Sequence, residues 1–213
     1  MSKIPSLKLP AAALPAEPSQ ARSRQALERL LATGEQLLAE NRFEEIGVAD
    51  LARQAQSSVG TFYRLLGDKE TLSRLLLDRF FGDLVQQLEA LTAPARWDGL
   101  PLEDFVRATV AMFVAINRGR QGVLRALIIR SSRDADFRDR VHQINHLVSQ
   151  RIIAVLHTKA GAIQHPDPAQ AMRVLPPVLL GVLNQHTLTG SLAFLPPAEL
   201  EQELTRLALR YLT

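Results

Sequence analysis

The sequence predicts an all-α protein of about nine helices. Apolar residues recur at i, i+3, i+4 and i+7 along most of the chain, no stretch alternates apolar and polar residues as a half-buried strand would, and Pro101, Pro168 and Pro197 stand at or near the first positions of helical patterns. Of 213 residues, 46% are hydrophobic and 22% charged, enough apolar surface to offset the entropy of ordering a core. With no cysteine, a disulfide scaffold and a thiolate metal site are excluded. No uninterrupted apolar run approaches the roughly 18 residues of a membrane span, and the basic-apolar-small order of a secretory signal is missing. The expectation is a soluble cytoplasmic protein without a membrane partner.

Net charge does not identify a partner. The chain carries +3, yet residues 1–70 hold nine basic and nine acidic side chains, and the local excess lies between Arg118 and Arg140. There, seven arginines face Asp134, Asp136 and Asp139, which can pair with several of them on helix surfaces.

The elements follow in order. Residues 1–20 contain four prolines and no periodic pattern, and read as a disordered arm. From Arg22, the spacing of Leu27, Leu30, Leu31, Gly34, Leu37 and Leu38 gives a first helix ending near Asn41. Val48, Leu51, Ala52 and Ala55 form the stripe of a short second helix with Asp50 in its first turn. Ser58 is a good N-cap for a third helix, Val59 to Leu66, which Gly67 stops. Asp68 caps a long fourth helix striped by Leu72, Leu75, Leu76, Phe80, Leu84, Leu88 and Leu91, and Pro94 and Gly99 break the pattern after it. Five further helices are expected at about 101–117, 121–131, 134–160, 167–190 and 197–212, with Pro176-Pro177 kinking or splitting the eighth.

The second and third helices, joined by a tight turn, have the layout of a helix-turn-helix, whose second helix can lie in a major groove. Gly60 would let the backbone approach a phosphate. Thr61 and Tyr63 supply hydroxyl donors and Arg64 a cation. Phe62 belongs on the opposite side, in the core with Val59 and Leu66. Lys69 stands at the start of the fourth helix, where its ammonium and the free backbone N–H groups can grip one phosphate.

Phe43-Glu44-Glu45-Ile46-Gly47-Val48-Ala49-Asp50-Leu51-Ala52, followed by Gly60-Thr61-Phe62-Tyr63 and Gly67-Asp68-Lys69-Glu70, resembles the DNA-binding region of the tetracycline-repressor (TetR) family over about a quarter of the chain. The resemblance implies a homodimer with a helix-turn-helix DNA-binding domain (residues 21–67) and a ligand-binding and dimerisation domain (residues 68–213), the last two helices pairing across a twofold axis. It places DNA contacts on Ser58, Thr61, Tyr63, Arg64 and Lys69, beside Gly60. It implies a regulator of transcription, a repressor in most of the family, held on a double-stranded DNA operator and released by a small-molecule effector. The sequence departs from the family pattern at four places: Gln56 replaces the usual turn glycine, Ser57 the valine after it, Val59 a basic or polar residue, and Gly47 a hydroxyl. Those changes also permit a second function, a helical protein-interaction module that has lost operator binding.

Beyond residue 95 composition alone speaks. Val178 to Gly190 is apolar nearly all round, as in a helix buried on more than one side, and contains Asn184, Gln185 and His186. These three either line a ligand pocket or fix packing and dimer register. Met112, Phe113 and Ile116 either wall an apolar pocket or fill the core. His142 and His146 have i, i+4 spacing, but Gln143 stands where a metalloprotease motif has glutamate and the apolar stripe from Phe137 to Val155 lies away from both, so no metal is expected. Without a Gly-rich phosphate loop, an elbow nucleophile or a cysteine, no enzyme and no cofactor is expected.

Overall fold

Helix α1 (Ala21–Ala39) forms where the leucine periodicity begins, and it buries Leu30, Leu31, Leu37 and Leu38 on one face. The computed structural model describes residues 21–213, so the expected N-terminal arm lies outside the described residues. Nine α-helices and two short 3-10 turns, and no strand, occur among the described residues. None of these helices is long and apolar enough to cross a membrane.

Two compact units divide at Arg79 and Phe80, inside helix α4 (Lys69–Leu91), which contributes to both. In the first unit α1 packs with α2 (Val48–Gln54) and α3 (Val59–Leu66). Its core joins Leu30 and Leu37 to Leu51, Phe62, Leu72 and Leu77, all nearly inaccessible to solvent. Gly34 is the closest approach: a Cβ there would lie 3.0 Å from Leu76 Cδ1 and 3.4 Å from Leu72 Cδ2. A methyl group at that point would require the ends of these leucine side chains to give by a few tenths of an ångström.

The second unit contains the rest of α4 with α5 (Leu102–Gly119), α6 (Gln121–Arg133), α7 (Ala135–Thr158), α8 (Pro168–Thr189) and α9 (Pro197–Leu212). Helix α5 packs on α8 and α9, and α7 on α6 and α8. Phe105, Phe113, Ile144, Ile152, Leu179 and Leu204 fill the space between them. Trp97, in the connection before α5, meets Phe105 edge to face with centroids 5.1 Å apart.

Two sequence expectations need correction. Of the kink or split expected at Pro176-Pro177, the split does not occur: helix α8 runs unbroken from Pro168 to Thr189. Met172, Leu175 and Leu179, buried on either side of the prolines, keep the helix packed through them. Nor is its C-terminal half buried all round. Leu179, Leu183 and Thr187 face the core, whereas Val178, Val182 and Leu188 are 51%, 36% and 42% exposed.

Side-chain caps start several helices, as their sequences require. Asp68 Oδ1 accepts the Thr71 N–H at 2.6 Å, Asp134 Oδ1 the Phe137 N–H at 3.0 Å, and Asp167 Oδ1 the Gln170 N–H at 2.9 Å. Those backbone N–H donors hold the Asp68 and Asp134 carboxyls below their ordinary value of 3.8. Because the folded state lowers both, their stabilisation is complete above the unfolded value and disappears as pH falls through the lower, folded one. Thermal unfolding of the Asp68→Asn, Asp134→Asn double variant is expected to lose less midpoint than the wild type between pH 5 and pH 3 (roughly the carboxylate range); equal losses would contradict the assignment.

Candidate functional site

The turn between α2 and α3 closes as a Schellman motif. The Gln56 N–H donates to Arg53 O at 3.0 Å and the Ser57 N–H to Ala52 O at 2.8 Å. This geometry places Gln56 at φ 50°, in the left-handed region where a glycine costs least. Arg29 of α1 secures the turn from below, its Nε donating to Ala55 O at 3.1 Å and its Nη2 to Gln56 O at 3.4 Å. The Ser57 hydroxyl is buried without a hydrogen-bond partner, where a valine would bring no polar atom.

Ser58 then caps α3: its Oγ accepts the Thr61 N–H at 3.1 Å and its hydroxyl donates to Thr61 Oγ1 at 2.9 Å. The helix has only 8 residues, too few to persist alone, so its orientation comes from the residues it buries. Phe62, Leu65 and Leu66 are buried, and Ser58, Gly60, Tyr63 and Arg64 are exposed, with Thr61 half-buried between the two sides. Val59 does not join the core as expected. It is 40% exposed, because the buried face centres between Phe62 and Leu65 and Val59 falls on the margin shared with Tyr63. Gly60 is open: a Cβ there would meet no described atom closer than Ser58 Oγ at 3.9 Å. Packing within the protein therefore does not require this glycine.

Lys69 stands at the first position of α4, as expected, and its ammonium has partners within the protein. Its Nζ donates to Glu44 O at 3.0 Å and Ile46 O at 3.1 Å and lies 5.1 Å from the centroid of the Phe43 ring. Two of its three ammonium donors thus close the loop between α1 and α2, leaving one for an outside acceptor. At the same helix start the Thr71 N–H is already taken by Asp68. Arg64 points along the surface, with Nη1 3.4 Å from Ser23 Oγ.

In the second unit, side chains of α4 to α8 wall a cavity of about 70 Å³, room for a few water molecules. Of the residues singled out from sequence, Phe113, Ile116 and Asn184 line it, and Met112, Gln185 and His186 do not. Gln185 is exposed, and His186 Nδ1 accepts the Leu192 N–H at 3.2 Å, fixing the turn after α8. Sequence reasoning missed Asn117, which lines the cavity and is 4% exposed. Its signal was its register, four residues after Phe113 and seven after Val110 on the buried stripe of α5. His142 and His146 are both exposed, and the described residues contain no group of three metal-ligating side chains.

A three-helix head with an outward recognition helix, joined in sequence to a helical body, defines a DNA-binding regulator of the helix-turn-helix class. The family described as tetracyclin repressor-like, C-terminal domain, matches residues 101–212, more than half of the chain. The chain belongs to the TetR family of DNA-binding transcriptional regulators, a family that points to regulation rather than catalysis. Among solved structures, a protein assigned to the TetR-family regulators of Mesorhizobium loti shares 20% identity at a TM-score of 0.70, over 91% of this chain and 98% of its own. A transcriptional regulator from a Rhodococcus species shares 20% identity at 0.66, over 87% and 95%. A regulatory protein of the tetR family, also from Rhodococcus, shares 17% at 0.66, over 88% and 96%. No curated protein matches the sequence significantly.

The turn yields a prediction about the head. Gln56→Gly relieves a left-handed non-glycine residue and is expected to raise the free energy of unfolding by about 1 kcal/mol. Denaturant unfolding followed by circular dichroism measures it, and a lowered midpoint would show that Gln56 is not strained.

Proposed function

We propose that this chain is a repressor that holds its operator as a homodimer and releases it when a small-molecule effector occupies the body cavity. Residues 21–67 serve as the DNA-binding domain and residues 68–213 as the ligand-binding and dimerisation domain. Gly60 carries this reading. A glycine in a short helix costs stability relative to alanine, and among the described residues no side chain occupies the space a methyl group would take. A surface that approaches from outside accounts for it, and the exposed Tyr63 and Arg64 beside it suit a phosphate backbone.

The dimer face is assigned to α8 and α9. Val178, Val182 and Leu188 on α8 and Leu207 on α9, the last 63% exposed, form an apolar surface that a second copy would cover. Twofold pairing would present two α3 helices to successive major grooves, about 34 Å apart. Effector release would then act through α4. Phe80 and Leu84 of this helix wall the cavity, so a ligand that widens it displaces the helix that follows directly on the DNA-binding domain and whose first turns lie in the same compact unit as α1 to α3. The alternative, a protein-interaction module without operator binding, draws on the exposure of Val59 and on the neutral charge of residues 1–70.

Fluorescence anisotropy with DNA from the protein's own upstream region, at fixed salt, is the test. Gly60→Ala is expected to stabilise the head by about 0.5 kcal/mol while weakening operator binding about tenfold, two effects of opposite sign. Tyr63→Phe should weaken binding by about 1.5 kcal/mol without altering the fold. Full affinity in both variants, or absence of binding at every salt concentration, would refute the proposal. For the dimer, sedimentation of Val182→Asp should give a monomer with lost operator affinity, since a carboxylate would be buried unpaired at the interface.

A further inference from the structure

The cavity walls specify what kind of molecule fits. Phe80, Phe81 and Phe113 supply aromatic surface, most of the remaining lining is aliphatic, and no charged side chain is among the lining residues. The guanidinium of Arg140 lies 5.8 Å from the centroid of the Phe81 ring but does not line the cavity. An anionic ligand would lose its hydration there without gaining a cation in contact.

Three asparagines, Asn117, Asn145 and Asn184, line the cavity, and of these only Asn117 is buried, Asn145 being exposed and Asn184 half-buried. Asn117 Nδ2 donates to Leu183 O at 3.1 Å and to Thr187 Oγ1 at 2.5 Å, and Thr187 Oγ1 in turn donates to Leu183 O at 3.0 Å. Because Leu183 O can only accept, the carboxamide orientation is fixed, and Oδ1 points away from these partners. No described group donates to Oδ1. Nor is it sealed in protein, so it opens on the cavity that its residue lines. A buried carboxamide oxygen with both lone pairs unused requires a donor from whatever fills the space.

We propose that the cavity takes a neutral, largely apolar, small aromatic ligand bearing one hydrogen-bond donor, such as a phenol or a benzylic alcohol, with the donor on Asn117 Oδ1. This rests on the reading of the same cavity as the effector site. Entry requires widening. Phe80, Leu84 and Ile116 separate the cavity from an open groove of about 180 Å³ and line both, so their displacement joins the two spaces. Asp83 and Arg120, ion-paired at 2.6 Å, line that groove and are not among the residues that line the cavity.

Calorimetric titration of the full chain, without DNA, with 4-ethylphenol, 4-ethylanisole and 4-ethylbenzoate at pH 7 tests the proposal. The phenol is expected to bind, the anisole about tenfold more weakly for want of the donor, and the benzoate not at all. Leu124→Phe, at a half-buried wall position, should weaken phenol binding at least about tenfold at an unchanged unfolding midpoint. Asn117→Leu should abolish the preference for phenol over anisole; if that variant does not fold, the wild-type preference together with Leu124→Phe decides. Equal binding of phenol and anisole, benzoate binding as tight as phenol, no phenol binding up to its solubility, or indifference to Leu124→Phe would each overturn the proposal. Without DNA in the titration the two readings separate. A phenol that binds in this way but leaves the operator complex intact upholds the ligand class and refutes effector release. Release of the operator by the benzoate alone upholds effector release and overturns the ligand class.

Discussion

The burial of Phe62 decides the orientation of everything that α3 presents to solvent. A helix of 8 residues has too little cooperativity to define its own rotation, so one fully buried aromatic ring, flanked by Leu65 and Leu66, sets which side faces the core. Once it does, Ser58, Gly60, Tyr63 and Arg64 face outward together. The Schellman turn at Gln56 and the Arg29 tie act upstream of that ring, delivering α3 at the angle at which Phe62 can insert.

Most of the fold was legible because helical periodicity is strong when each helix buries one stripe. The ends of α2, α3 and α9 fall within a residue of their sequence-based positions, marked by Ser58, Gly67 and Pro197. Val59 was misplaced because a two-turn helix samples too few positions to locate the centre of its buried face. The exposure of one side of α8 was hidden for a different reason: apolar residues meant for a second chain and apolar residues meant for the core have the same composition. Periodicity distinguishes faces of a helix, not the partners that cover them.

The site was legible in part. Exposure of Tyr63 and openness at Gly60 follow from helix geometry, which sequence carries. The role of Lys69 does not. Its two carbonyl partners lie 23 and 25 residues upstream, and only the closed loop brings them within reach of one ammonium. Asn117 was overlooked because a lone asparagine near a helix end resembles a surface residue until its register with Val110 and Phe113 is noticed. The polar groups of Asn184, Gln185 and His186 were visible as a run, but consecutive helical positions diverge by about 100° each, so one cavity cannot receive all three.

Gly34 marks the place where α1 has no room to spare. At this point only a hydrogen atom separates α1 from the Leu72 and Leu76 side chains. A larger residue at position 34 could seat only if the ends of the Leu72 and Leu76 side chains yielded by a few tenths of an ångström, so the register of α1 on α4 depends on the smallest residue of the helix.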